Sequence, residues 1–296
     1  MLFLMHLIFK KSFILFWLFQ SVSLALGTNF LIFPENAVDL ALGQHPSWNG
    51  SESVNPSLIK QKSSTPMFYI NSGNWFGDIS ISGLNYVQKI GNYNNRLFLK
   101  QAEINDLEFR ADKPSDDPVS QFSAYAFQLG SGVAKESAFG DIGIKVSYLS
   151  FGIYDQVANG LTFDVGFSKL LKNGIGIGVS ILNLGYMSKL YEEKPKLPAM
   201  VLAGFSKDLS FLSAKSRVFS TIKYSALNSI YKIKTGADVL LGPVRMLVGY
   251  SITKHTSEFS IGSGFNYGRF GFIYAMKFGS QNIGEPNIIS ISYRMP

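Results

Sequence analysis

Residues 160–170 read GLTFDVGFSKL and residues 175–187 read IGIGVSILNLGYM, two segments in which apolar residues alternate with small or polar ones. Successive side chains of a β-strand point to opposite faces, so each segment has one apolar face and one face rich in Gly, Ser and other small or polar residues. Lys172-Asn173-Gly174 between them is typical of a tight hairpin turn. The two segments therefore predict a pair of antiparallel strands.

The same alternation continues through residues 67–296 and predicts an all-β fold. The predicted strands lie near 67–73, 76–87, 94–104, 119–134, 139–154, 160–170, 175–187, 198–208, 215–226, 229–241, 243–252, 257–267, 269–279 and 286–295. Fourteen strands, an even number, are typical of a transmembrane antiparallel β-barrel. A soluble β-sandwich is the alternative, but it needs a well-charged exterior. Here one face of the strands carries Gly, Ser, Asn and Lys throughout.

Composition agrees with a barrel in a lipid bilayer. The 296 residues are 46% hydrophobic and only 16% charged, against about 25% charged in an average soluble domain. The 25 Phe and 14 Tyr residues suit an apolar band with aromatic girdles. Net charge is +7, but Lys and Arg do not cluster with aromatic residues, so no nucleic-acid partner is predicted. The absence of cysteine excludes disulfides and thiolate metal sites.

Residues 1–27 predict a signal peptide. It has a basic flank at Lys10 and Lys11, then an apolar core, then small residues before a cut after Ala25 or Gly27. An uncleaved anchor helix is the alternative, but the apolar run is short for a membrane span. No later stretch of about 18 apolar residues occurs.

Residues 28–66 do not alternate and predict a plug or strap at the inner mouth of the barrel. A short helix is expected after Pro34, ending at Gly43. Asn55 and Pro56 are the predicted plug residues. A disordered tail is the alternative, but the apolar residues Leu40, Leu42 and Trp48 disfavour it.

The gaps between strands predict the orientation of the barrel. Gaps after even-numbered strands are short, as at Gly242 and Gly268, whereas gaps after odd-numbered strands are longer and polar, as at 105–118, 155–159 and 188–196. Barrels of the outer membrane have short periplasmic turns and long outer loops. We therefore expect a location in the cell outer membrane with both termini in the periplasm.

The sequence contains no pattern that predicts catalysis, a cofactor or a metal. None of the three histidines has a partner at metal-ligand spacing. No Gly-x-Ser-x-Gly elbow is present, and His255 on a short loop is a poor base for a barrel hydrolase. Gly174, Gly176 and Gly178 superficially match a phosphate loop, but their alternation with Ile favours close packing inside the barrel wall. A non-enzymatic protein is expected.

Two polar loops are the predicted contact surfaces, at 105–118 and 187–197. The first contains the densest acidic cluster, EFRADKPSDD at 108–117. Its carboxylates could bind Ca²⁺, but Arg110 and Lys113 lie between them and favour a solvated loop that contacts a partner. The predicted contact residues are Glu108, Arg110, Asp112, Asp116, Asp117, Tyr191, Glu192 and Glu193.

Charged residues on the inward face predict ion pairs across the lumen, or ion selectivity if the lumen conducts. These residues are Asp164, Lys145, Lys232, Lys234, Asp238, Arg245 and Lys277.

The alternation changes phase within the fifth predicted strand: apolar residues occupy even positions up to Tyr148 and odd positions from Leu149. A β-bulge, or a strand that projects past the lipid, would explain this change.

Five stretches resemble a known family. They are DIGIKVSYL at 141–149, GLTFDVG at 160–166, ILNLG at 181–185, EKPKLP at 193–198 and AGFSKD at 203–208, with Ala41-Leu42-Gly43 and Asn55-Pro56 before them. Over roughly residues 35–296 the chain resembles the PorV/PorQ family of outer-membrane proteins, within the FadL-like barrels.

The resemblance implies a fourteen-stranded barrel in contact with outer-membrane lipid, without catalytic residues. It also implies two possible roles. The first is a component of type IX protein secretion that binds secreted cargo or translocon partners. The alternative is FadL-like passive transport of hydrophobic small molecules.

Overall fold

The computed structural model describes residues 27–59, 65–110, 117–211, 214–280 and 284–296. The predicted signal peptide therefore lies outside the described residues except for Gly27, and Asp112 and Asp116 lie outside them as well. None of the helices in the described part of the chain is long and apolar enough to cross a membrane.

Fourteen antiparallel strands form a closed barrel, which confirms the predicted fold. Each strand pairs with its neighbours in sequence, and β1 pairs with β14 to close the sheet. The strands are β1 Met67–Trp75, β2 Ile79–Ile90, β3 Tyr93–Phe109, β4 Ser120–Lys135, β5 Asp141–Ile153, β6 Gln156–Leu170, β7 Ile175–Met187, β8 Met200–Phe211, β9 Ala214–Ser225, β10 Ile230–Leu241, β11 Val244–Ile252, β12 Ser257–Tyr267, β13 Phe270–Gly279 and β14 Asn287–Arg294.

Alternation along each strand separates an apolar exterior from a mainly polar lumen. In β5, Ile142, Ile144 and Val146 are exposed on the outside, whereas Gly143 and Lys145 are buried inside. Large apolar side chains are exposed in this way on strands all around the barrel. An outward apolar band is what contact with lipid requires.

The two ends of the barrel differ. The end where β1 starts and β14 finishes, here called the terminal end, has short turns at glycines such as Gly242 and Gly268, whose φ angles are both +59°. The opposite end, the loop end, carries the connections that follow odd-numbered strands. The loop expected at 155–159 is only a turn at 154–155, because β6 already begins at Gln156. The loop expected at 105–118 is also shorter, because β3 extends to Phe109 and Glu108 therefore lies in a strand.

The bulge expected in β5 is absent, because β5 pairs in regular register with β4 and β6 along its whole length. Leu149 and Phe151 instead face the lumen, where the interior itself becomes apolar. The phase change in the sequence therefore marks a change in lumen polarity. Register shifts occur elsewhere, in β3 between Ile104 and Leu107 and in β7 opposite Asp164.

Residues 27–59, here called the N-terminal segment, pack against the inner face of the barrel. They contain 3₁₀-helices at Thr28–Ile32 and Pro56–Leu58 and one α-helix, α1, at Ala37–Leu42. The Asn36 side chain caps α1 by accepting a hydrogen bond from the Asp39 N–H (2.8 Å), and Gly43 ends it at a φ of +95°. The helix expected after Pro34 is thus confirmed.

Glycines on the inner wall let the backbone of this segment approach the strands. A Cβ atom on Gly143 would overlap the Pro56 carbonyl, and one on Gly178 would overlap the Pro46 carbonyl. Asn55 lies in the lumen, where its Nδ2 donates to the Pro46 carbonyl (2.6 Å) and to the Phe167 carbonyl of β6 (3.0 Å). Close packing inside the wall is thus confirmed for Gly176 and Gly178, whereas Gly174 lies in the turn before β7 at a φ of +74° with no neighbour within 4 Å of its Cβ position.

Candidate functional site

A cavity of about 570 Å³ opens at the loop end. Three parts of the barrel meet there: the adjoining ends of β3 and β4, the β5–β6 turn and the start of the β7–β8 connection. Most of the lining is apolar or aromatic. The lining residues are Phe109, Val119, Ser120, Phe122, Ile153, Tyr154, Asp155, Gln156, Leu190 and Tyr191. We call this the loop-end pocket.

The structure brings together part of the two predicted contact loops. Tyr191 lines the loop-end pocket together with Phe109 and Val119, whereas Glu192 and Glu193 are exposed to solvent. Glu108 forms an exposed ion pair with Arg110 (2.8 Å), an arrangement that contributes little stability. Asp117 is also exposed.

Sequence reasoning missed the apolar lining of this pocket. Phe109 ends β3 and Val119 directly precedes β4, and each residue is more than half exposed. Phe109 falls in the stretch at 108–117 that was selected for its acidic residues, and Val119 starts the strand predicted at 119–134. Large apolar residues in a solvated loop were the signal that could have identified them.

An apolar cluster in the lumen continues from the pocket, because Ile153 and Leu190 contact both. Its buried members are Phe30, Phe33, Ile79, Ile81, Ala102, Ala124, Ala126, Leu149, Phe151, Ala158 and Met187. Trp75 packs against it, with its ring centre 5.0 Å from that of Phe33. Packed apolar side chains thus extend from the loop-end pocket to the N-terminal segment.

Three buried cations of β3 and β5 hold this segment, and we call them with their acidic partners the segment lock. The lock comprises Arg96, Lys100 and Lys145 with Glu35, Glu52 and Asp164. Arg96 forms an ion pair with Glu35 and lies 3.5 Å from a carboxylate oxygen of Glu52. Burial raises the pKa of the Glu35 carboxyl, but the charges of Arg96, Lys145 and Lys100 outweigh this and lower it to about 2.

The two lysines of the lock bind backbone as well as carboxylate. The Lys100 ammonium donates to the carbonyls of Phe30 (2.8 Å) and Phe33 (2.7 Å). The Lys145 ammonium lies 2.7 Å from Asp164 and donates to the Ser53 carbonyl (3.1 Å). Three cations therefore face three acids, and the segment supplies most of the partners.

A second group of cations lies on the inner wall of β9–β13, and we call it the lysine group. It comprises Lys223, Lys232, Lys234 and Lys277 with Glu258. Glu258 lies 2.7 Å from the Lys232 ammonium and 3.2 Å from that of Lys277. Lys234 donates to the Gly43 carbonyl (2.5 Å).

The predicted ion pairs across the lumen are wrong. Arg245 pairs with Asp238 on the adjacent strand (2.8 Å), and Lys145 pairs with Asp164 directly opposite it. The N-terminal segment occupies the space between opposite walls, so the charges bind along the wall or to the segment.

The contacts of His45 indicate a structural role. Its Nε2 is 2.7 Å from the Leu42 carbonyl, its Nδ1 is 2.8 Å from Thr221 Oγ1, and its ring stacks on Phe219. Burial and the nearby charge of Lys234 lower its pKa to about 3, so the ring is neutral at physiological pH. Among the described residues no three His, Cys, Asp or Glu side chains are grouped as a metal site would need.

A polar cavity of about 340 Å³ lies at the terminal end, between the N-terminal segment and β1, β2 and β11–β14. Tyr69, Asn71, Arg245 and Asn266 are among its lining residues. The Asn71 amide is buried and forms no hydrogen bond with the described residues. The lumen is therefore apolar at the loop end beside β3–β7 and polar at the terminal end beside β1, β2 and β11–β14.

Comparison with known proteins identifies the fold. No protein-family model matches the chain, and the sequence has no match among curated proteins. Solved structures do match. The TodX deltaS2S3 mutant monoaromatic hydrocarbon channel has a TM-score of 0.63 at 10% identity, covering 88% of this chain and 99% of that one. The CymD monoaromatic hydrocarbon channel has a TM-score of 0.61 at 11% identity, covering 88% and 96%.

Proposed function

We propose that this protein is an outer-membrane channel, without enzymatic activity, for hydrophobic small molecules. The observation that carries the proposal is the loop-end pocket, which is continuous through Ile153 and Leu190 with the apolar cluster of the lumen. The barrels of similar fold that are named as monoaromatic hydrocarbon channels support this class of ligand. We propose that the loop end faces the outside of the cell and that both termini lie in the periplasm.

In the proposed pathway, an apolar ligand enters the loop-end pocket because burial removes its surface from water. It then moves along the cluster around Phe33 and Trp75. The N-terminal segment blocks the lumen beyond that point, so onward passage requires part of the segment to move. The segment lock sets the resistance to that movement.

Uptake of toluene by intact cells that carry the protein in their outer membrane, compared with cells that lack it, tests this proposal, because the lipopolysaccharide layer resists apolar solutes that cross a plain lipid bilayer unaided. Phe109→Asp combined with Val119→Asp places two charges in the pocket, and we expect uptake to fall at least about tenfold, because transfer of an apolar ligand to such a site loses several kcal/mol. Phe139→Asp is the matched control, since Phe139 is equally apolar and highly exposed but lies at the terminal end. Equal uptake by the pocket variant and the control would contradict the proposal.

The secretion role implied by the PorV/PorQ resemblance stays a prediction. A crosslinking pull-down from native membranes, with a tag beside Asp117, distinguishes it from small-molecule transport. Recovery of secreted proteins that share a C-terminal domain, or of a translocon, would favour secretion; recovery of the barrel alone would favour transport.

A further inference from the structure

The polar cavity of about 340 Å³ at the terminal end, here called the terminal-end cavity, is lined by a buried side chain with unpaired polar atoms. Asn71 of β1 is only 2% exposed, and neither its Nδ2 nor its Oδ1 forms a hydrogen bond with the described residues. Buried amide groups are nearly always hydrogen-bonded to protein or solvent. The donor and the acceptor of Asn71 are therefore both available to a molecule in the cavity.

Small residues flank Asn71 and keep the space beside it open. Asn71 pairs in register with Gly83 of β2 and with Ser290 of β14. Gly83 has no side chain, and the Ser290 hydroxyl accepts a hydrogen bond from the Ala37 N–H (2.8 Å) at the start of α1. Neither neighbour therefore binds the Asn71 amide.

Tyr69 adds a second hydrogen-bonding group to the same wall. It lies two residues before Asn71 on β1, and residues at this spacing share one face of a strand roughly 6–7 Å apart. Both residues line the cavity. The Tyr69 hydroxyl donates to Met67 Sδ (3.5 Å), which is a weak acceptor. A molecule that spans Asn71 and Tyr69 therefore finds polar atoms with free capacity at both.

The N-terminal segment forms the opposite wall of the cavity, and its acids are already engaged. Asp39 accepts hydrogen bonds from the Ser51 hydroxyl and from the Asn36 amide (3.2 Å). A carboxylate oxygen of Glu52 lies 3.5 Å from Arg96. The third charged residue of the lining, the arginine of β11, forms the ion pair with β10 described above. Every charge of the lining thus has a partner, so the cavity favours a neutral ligand.

The unpaired amide limits the chemistry of that ligand. An ammonium group satisfies only the acceptor of Asn71, and a carboxylate satisfies only its donor. A hydroxyl both donates and accepts, so two adjacent hydroxyls satisfy both atoms, and a further hydroxyl is needed to reach Tyr69. The cavity volume of about 340 Å³ falls within the range of roughly 300–1,000 Å³ that is typical of small-molecule sites.

We propose that the terminal-end cavity binds a neutral polyhydroxylated molecule of the size of a monosaccharide, with two adjacent hydroxyls on the Asn71 amide and a third at Tyr69. Val38 and Ile273 of the lining supply apolar contact for the carbon–hydrogen face of such a ligand. Asn266 of the lining is exposed near the end of β12, so the cavity is reachable from solvent at the terminal end. The site lies at the opposite end from the loop-end pocket, and the inference goes beyond the proposed function.

Equilibrium dialysis of the purified full-length protein at pH 7 tests the inference. The probes are glucose, galactose, mannose and myo-inositol, and the reference is tetrahydropyran-2-methanol, which has a pyranose-type ring but a single hydroxyl. An amine-oxide detergent avoids the sugar head groups that would compete. We expect at least one polyol to bind at least about tenfold more tightly than the reference, because the reference leaves an Asn71 atom unpaired. Equal affinities of the reference and all four polyols, the result for a cavity that holds only water, would overturn the inference.

Asn71→Leu removes both unpaired atoms and keeps nearly the same side-chain shape. It should weaken polyol binding at least about tenfold, whereas the urea midpoint of unfolding should stay the same or rise, because buried unpaired groups are lost. Asn74→Leu is the matched control, since Asn74 lies on the same strand but is exposed outside the cavity lining. Heat-dependent mobility on gels verifies that each barrel is folded. Unchanged polyol affinity in folded Asn71→Leu, or an equal loss in the control, would overturn the inference.

Tyr69→Phe tests the second contact and removes a single hydroxyl. Polyol affinity should fall about threefold to tenfold, as the loss of one hydrogen bond implies. The reference has too few hydroxyls to reach both residues, so it should bind this variant and wild type equally. Unchanged polyol affinity in Tyr69→Phe would overturn the assignment of Tyr69.

Discussion

The segment lock and the lysine group occupy the same inner wall and use the same types of side chain, yet their charges are balanced differently. In the lock, Arg96, Lys100 and Lys145 face three acids and also carbonyls of the N-terminal segment. In the lysine group, four cations share one acid, Glu258. A balanced group can hold a polypeptide in place, whereas an unbalanced group leaves uncompensated positive charge on the inner wall.

The difference follows from the cost of burying charge. A buried ion that loses its partner is strongly destabilising, so a group that only serves stability is expected to be neutral. Excess charge that reduces stability tends to occur at functional sites. Four predictions test whether the two groups differ in this way.

Replacement of Arg96 should have the largest effect. Arg96→Met leaves Glu35 buried without its main partner, and we expect a loss of about 3–5 kcal/mol in the free energy of unfolding. Urea unfolding in detergent, followed by tryptophan fluorescence, measures it. Arg110→Met, which removes the exposed pair with Glu108, is the control and should cost about 0–1 kcal/mol. Similar losses in both variants would mean that the lock does not hold the segment.

Acidification should have the second-largest effect on the free energy of unfolding. The folded pKa of Glu35 is about 2, below its ordinary value of 4.5, so the unfolded chain binds more protons than the folded chain between these pH values. The stability that Glu35 supplies is complete above pH 4.5 and falls as the pH drops through 2, by about 3 kcal/mol in total. Unfolding of wild type and Glu35→Gln between pH 6 and 2.5 compares the two. Equal acid sensitivity of both proteins would refute this role of Glu35.

Glycine substitution should have an intermediate effect. Gly143→Ala forces its new methyl group into the Pro56 backbone, and we expect a loss of about 1–3 kcal/mol as the segment shifts. Gly83→Ala is the control on the same inner face, since its nearest neighbour would be a carbonyl oxygen 3.3 Å away. Thermal unfolding of both variants gives the comparison, and a larger loss in Gly83→Ala would contradict it.

Removal of Lys223 should have the smallest effect on stability. Lys223→Met relieves the repulsion with Lys232, its direct neighbour on β10, so the free energy of unfolding should stay the same or rise by up to about 1 kcal/mol. The urea experiment used for Arg96 measures it. A loss of 2 kcal/mol or more would show that Lys223 has a structural role.

The sequence predicted the strand number and the inward residues well, because both follow from two-residue periodicity. It also predicted the helix before Gly43 and the close packing of strand glycines. The sequence did not predict features that depend on contacts between residues far apart in the chain. The phase change at Leu149 suggested a bulge, but Phe30 and Phe33 make the lumen itself apolar there.

Partners of the luminal charges were equally unpredictable. Asp164 and Lys145 become neighbours only through the register of β5 and β6, and Lys100 binds carbonyls that no residue pattern reveals. Only part of the loop-end pocket was predicted, because Tyr191 was selected, whereas Phe109 lies among the acidic residues at 108–117 and Val119 was assigned to the strand at 119–134. Apolar residues at strand ends were the usable signal.

Hydrogen exchange of residues 30–58 in wild type, Arg96→Met and Lys223→Met tests the central claim most directly. The account predicts that Arg96→Met loses protection throughout this segment while the strands stay protected, and that Lys223→Met matches wild type. Equal protection in all three proteins, or equal loss in both variants, would contradict the division between a lock that holds the segment and a lysine group whose Lys223 does not.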